Sequence, residues 1–192
     1  MMKKYLFLTL AVLFLISNSA HAEEETRTFQ GIEVLTGYAW GDLKRDKEYC
    51  LYPLILDLDF NLKKLTQKIG LNPPILMQFQ LEPYISGVSS PNANVEVGSG
   101  FALKFGILPE SFAIQPYIKA AAGVLYMSQH TIEQSTQFNF YEYGGAGAHW
   151  YFNKNWGLTV EYRFRHLSNS GIKQPNSGIN NQFALGGISY KF

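Results

Sequence analysis

Hydrophobic and polar residues alternate along most of this chain, as they do in β-strands whose two faces meet different surroundings. The stretch 156–168 is the most regular, with Trp156, Leu158, Val160, Tyr162 and Phe164 on one face. Its other face carries the charged residues Glu161, Arg163 and Arg165. Counting the same parity along the chain predicts eight strands, near residues 29–40, 49–62, 75–86, 95–107, 114–127, 138–152, 156–168 and 181–192. Each is long enough to cross a bilayer as a tilted strand, which takes about 9–11 residues.

The residues on the two faces indicate which face is outside. A soluble ligand-binding barrel turns its apolar face inward, whereas a transmembrane barrel turns it toward lipid. Here the polar faces carry acids, bases and glycines together, as expected in a narrow lumen where charges pair. The apolar faces are nearly free of charge and have aromatic residues near their ends, where aromatic girdles meet lipid headgroups. The sequence therefore predicts an all-β fold, an eight-stranded antiparallel transmembrane β-barrel of the bacterial outer membrane.

Composition supports this fold class and excludes others. Charged residues make up 16% of the chain, against roughly 25% in soluble domains. No apolar run after the N-terminus reaches the about 20 residues of a spanning helix, and a lone cysteine, Cys50, excludes an intramolecular disulfide. Residues 1–22 have the lysines, apolar run and Ala-x-Ala exit of a signal peptide. We therefore expect a single barrel domain over 23–192.

The expected mature chain is close to neutral. Without Lys3 and Lys4 it has 14 basic and 15 acidic residues, a formal charge of −1. That balance predicts no nucleic-acid partner. With both termini in the periplasm, the connections after the second, fourth and sixth strands face the periplasm, and the other four face outward. The seventh strand then ends at the outer leaflet.

Candidate chemistry lies at the end of that seventh strand, in the sequence HLSNSGIKQPNSGIN over 166–180. His166 and Ser168 share the even parity of the lipid-facing residues, so both are expected on the outer wall of the barrel. An unpaired imidazole or hydroxyl against lipid is costly, and an enzyme with a soluble substrate would use a cleft instead. A lipid substrate removes that objection, and the abundant ester-bearing lipid of this leaflet is lipopolysaccharide.

The motif, the terminal Phe192 and the eight-strand plan resemble the outer-membrane lipid A deacylase family, the lipid A 3-O-deacylases or acyloxyacyl hydrolases. The resemblance implies hydrolysis of the acyl ester at position 3 of lipid A by an H-x-S-N motif, without metal or cofactor. Carried over, His166 is the general base and Ser168 the nucleophile. Asn169, with nearby loop N–H groups, would bind the oxyanion. Partners would be lipid A and outer-membrane lipid, and a homodimer stays open.

The third site position departs from the family pattern. Twelve residues after Ser168 the chain has Asn180, where the family pattern has Glu. An amide oxygen can orient the imidazole but cannot neutralise the imidazolium. We therefore expect a slower enzyme or an acid supplied from elsewhere.

Glu142 is the candidate for that acid. A three-residue turn at 153–155 would pair Phe152 with Trp156, and the same register puts Glu142 opposite His166. A two-residue turn or a bulge would instead turn Glu142 into the lumen.

The sequence also allows a noncatalytic function, as an alternative to the esterase hypothesis. His166 and Ser168 alone are also typical of an interfacial histidine and a serine at the start of a loop. Gly171 and Gly178 suit ordinary turns. His130 and His149 have no partnering pattern and are expected in a loop and on the barrel wall. The alternative function is therefore a small structural or adhesive outer-membrane barrel that has lost the acid.

Overall fold

The computed structural model describes residues 27–44 and 47–192, so the predicted signal peptide at 1–22 lies outside the described residues. The strands are β1 Phe29–Trp40, β2 Asp42–Leu43, β3 Lys47–Glu48, β4 Cys50–Asn61, β5 Ile75–Ser90, β6 Asn94–Pro109, β7 Ile114–Met127, β8 Phe138–Tyr151, β9 Trp156–Ser168 and β10 Ile179–Lys191. A short helix, α1 Lys63–Gln67, follows β4. No helix in the described ranges is long and apolar enough to cross a membrane.

Eight of these strands close into an antiparallel barrel, in the order β1-β10-β9-β8-β7-β6-β5-β4. The first and last strands pair directly, from Gly31 with Lys191 to Trp40 with Gln182. Because closure leaves no unpaired strand edge, every barrel strand has its backbone groups bonded on both sides. The predicted fold class is confirmed.

The wall separates a polar lumen from an apolar exterior. Inside, Lys119 Nζ lies 2.8 Å from Asp57 Oδ2, and Arg165 Nη1 lies 2.8 Å from Glu96 Oε2. Such pairing offsets the cost of burying charges. Outside, Phe101 is 60% exposed and Val160 62% exposed. This is the arrangement of transmembrane barrels.

The two ends of the barrel differ in their connections. One end of the barrel holds the start of β1, the end of β10 and the connections 62–74, 110–113 and 152–155. The opposite end holds the loops 128–137 and 169–178 and the small β2–β3 hairpin. We call the first the turn end and the second the loop end.

The eight barrel strands agree with the predicted ranges except at a few ends, and the β2–β3 hairpin lies in a predicted connection. β5 runs to Ser90 and β6 to Pro109, beyond the predicted 86 and 107. β10 begins at Ile179, two residues before the predicted start. This last difference brings Asn180 into the sheet, where it pairs with His166.

Candidate active site

Three predicted site residues stand side by side across three strands near the loop end. Glu142 on β8 pairs with His166 on β9, which pairs with Asn180 on β10. Their strand neighbours Arg165 and Leu167 are buried toward the lumen, so the three residues face outward. His166 is half-buried, and Glu142 and Asn180 are exposed. We call these three residues the outer row.

A hydrogen bond joins two members of the outer row. His166 Nδ1 lies 2.7 Å from Asn180 Oδ1. Because an amide oxygen only accepts, this arrangement puts the proton on Nδ1 and leaves the lone pair of the imidazole on Nε2. That is the tautomer a general base needs when a second group holds Nδ1.

Ser168 is the last residue of β9 and lies on the same face as His166. It is half-buried and pairs with Phe140 on β8. Alternate residues of a strand are about 6.6 Å apart at Cα, so the two side chains can converge. Within the described residues no hydrogen bond joins Ser168 Oγ to His166. Substrate-free sites are often loose in this way and tighten only around substrate.

Gly178 forms a wall against the imidazole. A Cβ atom built on Gly178 would lie 2.3 Å from His166 Cε1 and 2.9 Å from Nε2. The residue also has a φ of 75°, a conformation that glycine adopts without strain. Only glycine therefore lets the loop backbone cover His166. From the sequence Gly178 was expected to be a turn residue, and nothing in the motif indicated its contact with His166.

Asn169 organises the loop that follows Ser168. Its side-chain amide donates to Lys173 O at 2.7 Å and to Ser135 Oγ at 3.2 Å. Its Oδ1 accepts from Gly171 N, and its own N–H donates to Asn176 Oδ1. The donors of Asn169 are thus engaged within and beside the loop. The predicted oxyanion role stays a prediction, and it requires one of these bonds to open when substrate binds.

The loop 128–137 holds the loop 169–178 in place. Ser177 N donates to Glu133 O at 2.9 Å, and Ser135 N donates to Pro175 O at 3.0 Å. The β2–β3 hairpin joins them, because Lys44 Nζ donates to Ser177 Oγ at 2.6 Å. Ser177 precedes Gly178, so these bonds also position Gly178 against His166. No feature of the sequence indicated this contact between distant loops.

Glu142 lies on the outward face, as the predicted hairpin register requires. The register that puts it opposite His166 is confirmed. Its carboxylate makes no hydrogen bond or ion pair within the described residues. Opposite residues are about 5 Å apart at Cβ, so the Glu142 carboxylate is close enough to act on His166. That role stays a prediction.

A second histidine lies among hydroxyl and carboxyl groups, inside the barrel. His149 Nδ1 lies 2.8 Å from Thr159 Oγ1, and His149 Nε2 lies 3.6 Å from Glu33 Oε1. His149 is 0% exposed and Glu33 1% exposed. A substrate has no access to this cluster, so its bonds satisfy buried polar groups. Accessibility thus separates His166 from His149.

A shallow, open apolar groove lies on the outer wall, on the turn-end side of the outer row. It has a volume of about 520 Å³ and is lined partly by Ala146, Ala148, Val160, Tyr162 and Ala184. Ala146, Tyr162 and Ala184 lie in one register, four residues along their strands from the outer row. That offset corresponds to about 13 Å. The small side chains of β8 thus leave a depression near the middle of the wall, in line with the outer row along the strands.

Comparison with known proteins gives a family and a fold. The model of the lipid A 3-O-deacylase (PagL) family matches residues 64–188, more than half of the chain. No curated protein sequence matches significantly. The crystal structure of the outer membrane enzyme PagL aligns with a TM-score of 0.59 at 19% identity, over 81% of this chain and 97% of that one.

A second solved structure has the same fold. Neisserial surface protein A aligns with a TM-score of 0.63 at 10% identity, over 85% of this chain and 97% of that one. At such identities the two structures support the barrel fold alone. The family match contains the outer row and Ser168.

Proposed function

Because this chain belongs to the lipid A 3-O-deacylase family, we propose that it is an outer-membrane serine esterase that removes the 3-O-linked acyl chain of lipid A. One observation carries the proposal for this particular chain. His166 is held at Nδ1 by Asn180, on the same outward face as Ser168. This is the relation of orienting residue, base and nucleophile on which acyl transfer depends.

The proposed reaction divides the hydrolysis into two steps. Ser168 Oγ attacks the acyl carbonyl carbon while His166 Nε2 takes the hydroxyl proton. The tetrahedral intermediate then expels the sugar oxygen, which takes that proton from His166 and leaves an acyl group on Ser168. A water molecule, deprotonated by His166, then attacks the acyl-serine. The second intermediate releases the free fatty acid and expels Ser168 Oγ, which takes the proton back from His166. Asn169 and the N–H groups of its loop are the proposed oxyanion donors.

The outward position of the site supports a lipid substrate. Phe164, two residues before His166 on the same face, is 50% exposed, and Phe138, two residues before the Ser168 partner, is also 50% exposed. A soluble ester would have to enter this apolar surface, whereas a membrane lipid is already there. The groove at Ala146 and Ala184 lies on the same wall. We propose that the acyl chain lies along this groove during hydrolysis.

The depth of the site supports the outer leaflet. Ser168 is the last residue of β9 at the loop end. In outer-membrane barrels, short turns face the periplasm and longer loops face outward. Two of the three connections of the turn end, 110–113 and 152–155, have four residues each. We therefore propose that His166 and Ser168 lie at the level where the sugar esters of lipopolysaccharide enter the membrane.

Two residues are proposed to serve the imidazole. Asn180 holds the required tautomer by its 2.7 Å bond. Glu142 would supply the negative charge that an amide lacks, since it faces His166 from the other side. Because the partner of His166 Nδ1 is the neutral Asn180, we propose that this enzyme turns over more slowly than one with a carboxylate at that position.

The proposal is tested with the purified, folded barrel and detergent-solubilised lipopolysaccharide. Free fatty acid release is measured for the native chain, for Ser168→Ala and for His166→Ala. A matched control is Ser111→Ala, because Ser111 is an exposed serine at the turn end. We expect release to be lost in the first two variants and kept in the control, with heat-modifiable gel mobility retained in all. Undiminished release by Ser168→Ala would overturn the esterase assignment, and no release by any chain would favour a noncatalytic barrel.

A further inference from the structure

The connection between β4 and β5 exposes unusually apolar side chains. It spans 62–74 and is the longest connection of the turn end. Leu65 is 63% exposed, Ile69 72% and Leu71 53%. Each large apolar side chain left in water forgoes the free energy that burial would provide. Three exposed apolar side chains within seven residues form a patch that indicates an interaction surface.

This connection lies against the outer wall of the barrel. Met77 is an outward-facing position of β5, yet it is only 9% exposed. Thr66 of α1 covers it, with Oγ1 4.0 Å from Met77 Sδ, and Leu62 N donates to Met77 O at 3.0 Å. The helix thus occupies a place on the wall where lipid would otherwise be.

The same helix is fixed on its other side in the mouth of the lumen. Lys63 is buried and forms an ion pair with Glu110. Its N–H donates to Asn61 Oδ1 at 2.8 Å. With Lys63 inside and Thr66 over the wall, α1 crosses the rim of the barrel. The exposed residues that follow therefore continue the lipid-facing surface at the level of the headgroups.

The charges of the connection are all positive. Lys64 and Lys68 are exposed, and they lie next to Leu65 and Ile69 with the same four-residue spacing. No acidic residue occurs between Asp59 and Glu82. Apolar side chains flanked by lysines are typical of segments that lie in the membrane interface and bind anionic lipid.

We propose that residues 64–71 form an interfacial anchor that binds anionic phospholipid in the leaflet at the turn end of the barrel. Leu65, Ile69 and Leu71 insert between the acyl chains. Lys64 and Lys68 bind the phosphate groups. The anchor fixes the depth of the barrel in the bilayer, and it does not depend on the proposed esterase activity.

The test uses the full barrel in phospholipid vesicles and a tryptophan at the anchor. The native tryptophans Trp40, Trp150 and Trp156 provide a background that is subtracted. Ile69→Trp reports the apolar side, and Gln67→Trp is the matched control on the opposite side of the helical turn. We expect brominated phosphatidylcholine to quench most of the added emission of Ile69→Trp and little of that of Gln67→Trp. Unquenched, water-like emission from Ile69→Trp would overturn the anchor, and blue-shifted but unquenched emission would show protein contact and overturn it too.

A second arm tests the choice of anionic lipid. Brominated phosphatidylglycerol is titrated into unlabelled phosphatidylcholine vesicles that contain the Ile69→Trp barrel, with and without Lys64→Gln and Lys68→Gln. Each lysine near an anionic surface contributes roughly fivefold to local binding. We expect the two substitutions to raise the fraction of anionic lipid needed for half-maximal quenching severalfold. If the variants with and without the lysines need the same fraction of anionic lipid, the proposed binding of anionic lipid by Lys64 and Lys68 would be overturned. Heat-modifiable gel mobility verifies folding, and Leu71→Trp replaces Ile69→Trp if that variant does not fold.

Discussion

Replacing Asn180 by aspartate changes the charge of the group that holds His166 and keeps its shape. The bond to change is the 2.7 Å contact between His166 Nδ1 and Asn180 Oδ1. A neutral hydrogen bond contributes about 1 kcal/mol and one to a charged group about 1.5–3 kcal/mol. The carboxylate also stabilises the imidazolium, which is absent from the resting enzyme and forms as Ser168 loses its proton. The gain of about 1–2 kcal/mol corresponds to a rate increase of roughly fivefold to thirtyfold.

The exposure of Asn180 determines where the expected rate increase falls within the range of roughly fivefold to thirtyfold. Because its side chain is exposed, headgroup water and salt screen the new charge. We therefore expect Asn180→Asp to raise kcat about tenfold. Asn180→Ala removes the acceptor and is expected to lower kcat by about fivefold or more. Asn180→Glu, which has the residue of the family pattern, is also expected to raise the rate.

The assay is steady-state fatty acid release by the purified barrel at saturating lipopolysaccharide. All variants are first compared by heat-modifiable mobility, so that a loss of folding is not read as a loss of catalysis. We expect kcat to fall from Asp to Asn to Ala at position 180. An Asn180→Asp variant that is no faster than Asn180→Ala would refute the assignment of Asn180 as the orienting residue.

Three further variants and one control variant test other residues of the site and the lumen. Glu142→Gln is expected to lower kcat severalfold, and unchanged turnover would remove Glu142 from the site. Gly178→Ala should lower kcat by about a hundredfold, because it displaces the imidazole. Gly171→Ala is the control, because Gly171 also has a positive φ but has open space around it. An equal loss of kcat in Gly171→Ala would mean that loop strain, and not contact with His166, causes the effect. Glu96→Gln leaves the buried Arg165 without its carboxylate partner and should lower the free energy of unfolding by about 3 kcal/mol, measured by denaturant titration. An unchanged midpoint would contradict that role of the ion pair.

The barrel was predictable because each strand meets lipid on one face and a polar lumen on the other. That contrast appears directly as alternation, for example along 156–168. The register of β8 against β9 was equally accessible, because a three-residue turn at 153–155 determines every later pair, including Glu142 with His166. Local geometry is enough for predictions of this kind.

The arrangement of the loops was not predictable in the same way. The loop 169–178 is held by contacts from 128–137, and such distant hydrogen bonds leave no periodic trace in the sequence. Gly178 looked like a turn residue, although its missing side chain is what lets it cover His166. Helix α1 was also missed, since five residues are too few for a helical pattern.

Ser168, on the outer wall, is proposed to remove an acyl chain from lipid A. This role is tested most directly by mass spectrometry of lipid A from cells that express the native barrel or Ser168→Ala, each shown to be folded in the outer membrane. We expect lipid A to lose the mass of one hydroxyacyl chain with the native barrel and to keep it with Ser168→Ala. The same loss with both chains, or intact lipid A with both, would contradict it.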